Sequence, residues 1–320
     1  MTKVLGVAGE VTCSIYPVLD STLISANVQE FLNLISQVHS HRIDYLKQLD
    51  SCLVSRVSHY RLDAQGHEVV VLHMVYSSAG NSSNARYFRL ERFRDDPPNR
   101  ESLACSIDLA TSPSRTIERL DTVFVSDALQ GGAYELLSPK YQIVREFDIP
   151  PGTLTILEAL VIAQTLSDLS NRYTLFVHMC QFWAVNLFLI IKAVVNSRNL
   201  QQVTLTDGPA INTAGTFRGL RLVEVNTGRA TADFLRCDDK SLRALCKSKS
   251  TVEFEAIKKV WSQASSLELG GPLTSAHPAR NGTASDDDIS TNAVYHTAQM
   301  NLDAWKVKIR AEISRMGSVS

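Results

Sequence analysis

The first third of the chain alternates between apolar and polar positions in a way that predicts β-strands. Residues 51–62 mix β-branched with polar side chains, and the valine-rich segment HEVVVLHMVYS at 67–77 is typical of a buried strand. Residues 87–93, YFRLERF, alternate like a further strand, and residues 78–85 between them have the composition of a turn. The last three segments therefore predict a β-hairpin with a long tip, which the prolines of DDPPN at 95–99 end.

Apolar residues at helical spacing indicate the helices. Helices are predicted at 27–48, 149–170, 177–195 and 293–315, with a mostly polar helix or helix pair at 240–264. Two further alternating segments, 121–128 and 216–226, predict short strands. Two prolines mark the start of the second helix, with Thr153 or Thr155 as its cap. Together these elements predict an α+β fold, in which a small antiparallel sheet packs against several helices.

Glycine, proline, serine and aspartate accumulate late in the chain and suggest a division of it. Residues 265–292 have this composition, which predicts a flexible linker. A linker there separates a main α+β domain, residues 1–264, from a C-terminal helix within 293–320. The pattern leaves open whether that helix packs on the main domain.

The charge balance excludes one class of partner. The chain has 320 residues and a formal net charge of −1, so it has no overall basic field that would attract nucleic acid. The densest basic stretch, RYFRLERFR at 86–94, contains Glu91 and falls in a predicted strand. We therefore expect no nucleic-acid partner.

Cysteine usage and the N-terminal segment predict the compartment. Six cysteines are scattered over the chain without a C-x-x-C pair or the spacing of a disulfide framework. The first thirteen residues, MTKVLGVAGEVTC, hold an apolar patch that is too short for the core of a signal peptide. These features predict reduced thiols in a cytoplasmic protein.

No residue pattern predicts a metal or a cofactor. His39 and His41 lie two apart with no third ligand nearby. The acidic triplet at 286–288 lacks the glycine and glutamate of an EF-hand loop. Phosphate-binding and dinucleotide-binding glycine motifs do not occur in the sequence. We expect neither a cofactor nor a bound metal ion.

The most apolar stretch, RYTLFVHMCQFWAVNLFLIIKAVV at 172–195, approaches the length of a membrane span. A span needs roughly 20 mostly apolar residues. This stretch is interrupted by four polar side chains, those of His178, Gln181, Asn186 and Lys192. Because each of them would be costly in hydrocarbon, we expect a buried helix and no transmembrane segment.

Cys180, near the start of that helix, is the main candidate for chemistry. Thiol catalysis needs the thiolate, which the unpaired N–H groups of a helix N-terminus favour. The neighbours of Cys180 at helical spacing, Trp183, Ala184 and Leu187, are apolar and place it on a core-facing side. The alternative is therefore a buried core thiol without reactivity, which is a common role for a free cysteine.

A thiol nucleophile also needs a histidine as general base. His67 is the preferred candidate because it opens a strand, where a side chain can stand at a sheet edge. His73 shares the face of His67 but lies deeper in the strand. His178 would point about 200° away from Cys180 on a helix. The charged residues on the hairpin that could orient a histidine are Glu68, Glu91 and Arg89.

The order of these parts resembles a family of enzymes. A histidine begins one strand (GHEVVVLHM), a second strand pairs with it (RYFRLERF), and a cysteine follows on a helix (HMCQFWA). This resembles the permuted papain-like thiol enzymes, which include lecithin–retinol acyltransferase-like proteins. The resemblance implies a permuted papain-like core, Cys180 as nucleophile, His67 as general base, and Glu91 or Arg89 as the third residue.

The chain departs from the motif of that family, Asn-Cys-[Glu/Gln]-His-Phe, at two positions. Met179 stands in place of the asparagine, and no histidine follows Gln181. These departures leave the groups that stabilise an oxyanion and orient the base unassigned. Residues 40–200 are also similar to a group of proteins of mushroom-forming fungi, with a Cys-x-Phe/Trp pattern at CQFWA, and this likeness implies no activity.

Two hypotheses follow. The first is a thiol-dependent hydrolase or acyltransferase that acts on an amide or ester of an unknown small molecule or peptide. The alternative is a non-catalytic interaction protein, or a degenerate family member, in which Cys180 is a core residue. The sequence predicts no oligomeric state.

Overall fold

The computed structural model describes most of the predicted sheet and the helices beside it. The residues described are 24–37, 51–62, 66–77, 83–94, 119–127, 129–130, 136–169, 180–217, 220–229, 231, 239–240, 255, 296–307 and 311. The predicted linker at 265–292 and nearly all of the predicted helical region 240–264 lie outside these residues.

The centre of the fold is a seven-stranded sheet in which every neighbouring pair of strands is antiparallel. Its strands, in chain order, are β1 (Ile24–Asn27), β2 (Leu53–Leu62), β3 (His67–Ser77), β4 (Ser83–Arg94), β5 (Arg119–Ser126), β6 (Tyr141–Asp148) and β7 (Thr206–Asp207). Across the sheet the order is β1-β5-β4-β3-β2-β6-β7. Two further two-residue strands, β8 (Thr216–Phe217) and β9 (Leu220–Arg221), pair only with each other.

In the described part of the chain, three helices lie beside the sheet and precede the C-terminal segment: α1 (Val28–Gln37), α2 (Ile156–Leu169) and α3 (Cys180–Arg198). Helix α2 begins with a reciprocal capping arrangement. The Glu158 backbone N–H donates to the Thr155 hydroxyl at 3.2 Å, and the Thr155 N–H donates to the Glu158 carboxylate at 2.9 Å. This capping box satisfies N–H groups that the helix itself cannot, and a side-chain cap contributes about 1 kcal/mol. Of the two predicted caps, Thr155 is the one used.

The alternation of β3 divides its side chains between two buried layers. The residues that pack with the helices are Val70, Leu72 and Met74. The residues on the opposite face, which pack with the segment before β6, are Val69 and Val71. Both faces of the strand are therefore buried, which explains its nearly continuous valine-rich sequence.

Helix α3, with 19 residues, is longer than α1 and α2. Among the described residues it is the one helix that is long and apolar enough to cross a membrane, and most of it is buried inside the protein. It packs against β3 and β4 of the sheet and against α2. A core helix that contacts neighbours on several sides carries apolar residues around most of its circumference, so its composition resembles that of a span.

A C-terminal helical segment, residues 296–307, packs on this helical layer. Ala298 and Leu302 are buried in the same apolar core as α2 and α3. The Asn301 amide donates to the Thr165 hydroxyl of α2 at 3.1 Å. The segment therefore belongs to the folded body, a question that the sequence pattern left open.

The α+β prediction is confirmed, and so are most of the predicted elements. The sheet is larger than predicted, because β1, β6 and β7 were not anticipated. The prediction of a single strand at 216–226 is wrong, because two strands of two residues each, β8 and β9, pair antiparallel there. Gly215, directly before β8, has φ +68°. Of the first predicted helix, 28–37 is helical. The resemblance to a permuted papain-like core stays a prediction.

Candidate active site

The turn between β2 and β3 positions His67. The Gly66 N–H donates to the Leu62 carbonyl at 2.9 Å, and Gly66 adopts φ +67°, a left-handed conformation that favours glycine. A Cβ at this position would stand 3.0 Å from the Arg61 guanidinium and 3.3 Å from the Thr216 carbonyl oxygen. The glycine thus lets the chain turn closely and start β3 at His67.

His67 contacts a buried carboxylate from the neighbouring strand. The register that pairs Val70 with Leu90 makes Glu91 of β4 a diagonal neighbour of His67 on one face of the sheet. The His67 Nε2 lies 2.7 Å from a carboxylate oxygen of Glu91, which is fully buried. A carboxylate only accepts hydrogen bonds, so the network assigns the proton to Nε2 and leaves Nδ1 without one in the neutral ring.

Arg89 holds the other oxygen of that carboxylate. Its guanidinium lies 2.7 Å from Glu91 Oε1 and 4.2 Å from the centre of the Phe124 ring, over which it stacks. The same guanidinium donates to the Leu136 carbonyl. A buried carboxylate is stable only when its charge is paired, and Arg89 and His67 provide that pairing.

Cys180, the first residue of α3, contacts His67 and so joins the chain of side chains Arg89, Glu91 and His67. Its side chain hydrogen-bonds the His67 ring, and the residue is 7% exposed. Burial lowers the pKa of His67, but the charges and hydrogen bonds of Cys180 and Glu91 outweigh it and raise that pKa to about 10. Because Nε2 contacts Glu91, Nδ1 is the nitrogen left for the thiol. The arrangement is a nucleophile, a base and an orienting carboxylate in sequence.

The structure thus brings together Cys180, His67 and Glu91, the three residues singled out from the sequence. His73 is elsewhere: six residues along β3 is about 20 Å, and its Nδ1 lies 2.8 Å from the Ser55 hydroxyl. His178 lies outside the described residues.

Glu68, the other acidic candidate, belongs to a second cluster on the helix-facing side of the sheet. Its carboxylate lies 2.9 Å from His59 Nε2 and 2.7 Å from the Arg61 guanidinium. It also accepts a hydrogen bond from the Gly215 backbone N–H at 2.7 Å. Glu68 is fully buried, and this cluster ties the 206–231 segment to the sheet.

Two residues that the sequence did not suggest also lie at the site. Gln181 is 1% exposed, and its amide lies between Cys180 and Gly66. Tyr141 begins β6 in register with Leu62, which in turn pairs with His67. Burial raises the pKa of Tyr141, the charges of Glu91 and Cys180 add to this rise, and Arg89 opposes it.

No sequence signal could have found Tyr141, because the strand that carries it was itself missed. In the sequence Gln181 is a polar interruption of an apolar helix and a match to the Glu/Gln of the family motif, but neither signal assigns a role to it. Its contact with Gly66 depends on the packing of α3 against the sheet.

Within the part of the chain that the structure describes, no group of three histidine, cysteine, aspartate or glutamate side chains could hold a metal ion. Comparisons of the chain with protein-family models, with curated proteins and with solved structures found no match.

Proposed function

We propose that this protein is a thiol-dependent hydrolase or acyltransferase that acts on an amide or ester of a small molecule or peptide. One observation carries the proposal: the His67 ring bridges the Cys180 thiol and the buried Glu91 carboxylate. Burying a carboxylate beside a histidine costs free energy, because both groups lose their hydration. A role in proton transfer is a physical reason for a protein to keep such a pair buried.

The chemistry follows from the order of the three groups. The Cys180 S–H bond breaks, its proton passes to His67, and the thiolate attacks the substrate carbonyl carbon. Backbone N–H groups at the start of α3 are the nearest candidates for stabilising the oxyanion. Collapse of the tetrahedral intermediate breaks the bond to the leaving nitrogen or oxygen, which takes the proton from His67.

The resulting thioester on Cys180 is then resolved. Water, or a second substrate with a nucleophilic N–H or O–H, gives its proton to His67 and attacks the thioester carbonyl. The C–S bond breaks and the Cys180 sulfur leaves as thiolate. Water as acceptor makes the protein a hydrolase, and another nucleophile makes it an acyltransferase.

Glu91 supports each proton transfer. It keeps the imidazole in the tautomer with Nδ1 unprotonated, and it stabilises the imidazolium that forms. Arg89 fixes the carboxylate in turn, so the base is held by contacts that do not depend on substrate. Cys52 and Cys180 are both free thiols, which fits the cytoplasmic location that we propose.

The second candidate function is a non-catalytic interaction protein. The observation that favours it is the burial of Cys180, which is 7% exposed and begins a helix whose next turns lie in the core. In that case the thiol is a packing residue and His67 only neutralises Glu91.

The rate of alkylation of Cys180 by iodoacetamide, measured against pH with peptide mapping, tests the proposal. We expect Cys180 to react near neutral pH, and His67→Ala to slow the reaction by about 10²-fold or more. Cys52 is the internal control, because burial raises its pKa to about 12. A Cys180 that stays silent until the protein is denatured would overturn the proposal in favour of the interaction protein.

Acyl transfer itself can be tested with a short-chain p-nitrophenyl ester. We expect intact-mass analysis to show an acyl adduct on wild type and none on Cys180→Ala. Loss of the adduct in water alone indicates hydrolysis, and its transfer to an added amine indicates an acyltransferase.

A further inference from the structure

Gln181 makes two hydrogen bonds, and the one to Gly66 fixes which atom of its amide faces the thiol. Its Nε2 donates to the Gly66 carbonyl oxygen at 2.6 Å, and its Oε1 lies 3.2 Å from Cys180 Sγ. The Gly66 oxygen can only accept, so the amide nitrogen must face it and the amide oxygen must face the sulfur. Gln181 is 1% exposed, so both contacts lie inside the protein.

From this geometry we infer that Gln181 is a positioning residue that holds the resting Cys180 in its neutral S–H form. The inference rests on the proposed function, because it concerns the same thiol. An S–H group can donate to a carbonyl oxygen, whereas a thiolate next to the same oxygen meets a lone pair and is destabilised. Gln181 therefore favours the neutral thiol, whereas His67 and Glu91 favour the ion pair. The pKa of about 10 describes the His67 ring beside the Cys180 thiolate, because the charge of that thiolate is the largest of the effects that raise it.

The proton has two alternative acceptors within this site. In the resting arrangement the S–H bond is intact and points to Gln181 Oε1. On activation the S–H bond breaks, an N–H bond forms on His67, and the amide of Gln181 is chemically unchanged. The two acceptors therefore compete for one proton, and their balance sets the pH at which the Cys180 thiolate forms.

The charged and titratable groups around the sulfur come from three strands. His67 of β3 hydrogen-bonds the thiol and Tyr141 of β6 interacts with its charge, while Glu91 and Arg89 of β4 pair with each other behind His67. A substitution at Gln181 leaves all of these charged and titratable side chains in place. A change in thiol reactivity after that substitution therefore measures the effect of the Gln181 amide.

Helix α3 offers a matched control. Asn186 donates from its amide to the Gly228 carbonyl at 3.1 Å, and Gly228, like Gly66, has a positive φ. Both amides thus join α3 to a glycine carbonyl of another segment, and only Gln181 also contacts the sulfur. Asn186→Leu removes the same kind of contact without touching the thiol.

The test is the pH at which Cys180 alkylation by iodoacetamide reaches half its plateau rate, in wild type, Gln181→Leu, Gln181→Glu and Asn186→Leu. We expect Gln181→Leu to lower this midpoint by about one pH unit and Gln181→Glu to raise it. Asn186→Leu should leave it unchanged. A purely structural role predicts that both Gln181 variants shift it in the same direction, or not at all, and either result overturns the inference.

The protonation state of Cys180 can also be measured in the wild-type protein, which does not require the variants to fold. The infrared S–H stretching band of Cys180, identified by its loss in Cys180→Ala, should be present at neutral pH. Its absence would mean a resting thiolate and would overturn the inference while leaving the proposed function intact. A thiol that stays unreactive in wild type at every pH of the folded protein overturns both.

Discussion

Two buried carboxylates, one on each face of the sheet, each hold a histidine and an arginine. Glu91 joins His67 and Arg89, and Glu68 joins His59 and Arg61. The distances are nearly the same, so the difference lies in what surrounds the histidine.

His59 is enclosed, whereas His67 stands at the end of a strand beside the thiol. The side chain of His59 is 1% exposed, its ring centre lies 6.0 Å from that of Phe188, and its Nδ1 has no hydrogen-bond partner in the described part of the chain. The side chain of His67 is 15% exposed, and its ring also contacts Cys180. Identical pairing chemistry therefore stabilises packing in one place and can support proton transfer in the other.

Replacing each histidine in turn should give the largest difference between the two clusters. We expect His67→Gln to reduce the rate of Cys180 alkylation by about 10²- to 10⁴-fold, because the thiol loses its base. His59→Gln should leave that rate within about twofold in the folded protein. Stopped-flow alkylation with peptide mapping measures both, and equal losses would show that the two clusters do not differ in function.

For stability we expect the opposite order: removing the charge of Glu68 should destabilise the protein more than removing the charge of Glu91. Glu68→Gln leaves the buried Arg61 without its charge partner, and we expect a loss of about 3–5 kcal/mol in unfolding free energy, measured by urea titration. Glu91→Gln should cost less stability, because the Arg89 side chain is 17% exposed against 7% for Arg61, and Arg89 also stacks on Phe124. Finding Glu91→Gln the more destabilising of the two would reverse the assignment of the structural cluster.

The stability contribution of His67 should depend on pH. Its pKa is raised from 6.5 to about 10 in the folded protein, so the contribution is fully present below pH 6.5 and is lost as the pH rises through about 10. The difference in unfolding free energy between wild type and His67→Gln should therefore shrink between those values. A difference that grows with pH would contradict the pairing of His67 with Glu91 and Cys180.

The smallest effect is expected at the second buried thiol. Cys52 is completely buried, and burial raises its pKa to about 12 without a charged partner. Cys52→Ala should leave both the rate and the pH dependence of Cys180 alkylation unchanged. A shift of the Cys180 profile in this variant would mean that the two thiols are coupled through the core.

Local pattern predicted more of this fold than of its site. Alternation was enough for β2, β3, β4 and β5, because each of these strands has a strongly apolar face. Strand β6 was missed because half of the positions of YQIVREFD are polar or charged. Arg145 among them is nevertheless buried, as it pairs with Asp207 at 3.1 Å and donates to Asn226 of a distant segment at 3.0 Å.

The sequence by itself determined which residue types were available for thiol chemistry and on which elements they would lie: Cys180 at a helix start, and His67 and Glu91 on a predicted hairpin. Strand periodicity and helix spacing are local properties, so they could be recognised without knowing the fold. Only the tertiary structure decided which histidine meets the sulfur and that Gln181 turns its oxygen toward it. Those contacts depend on how α3 packs across the end of β3, which no local pattern encodes.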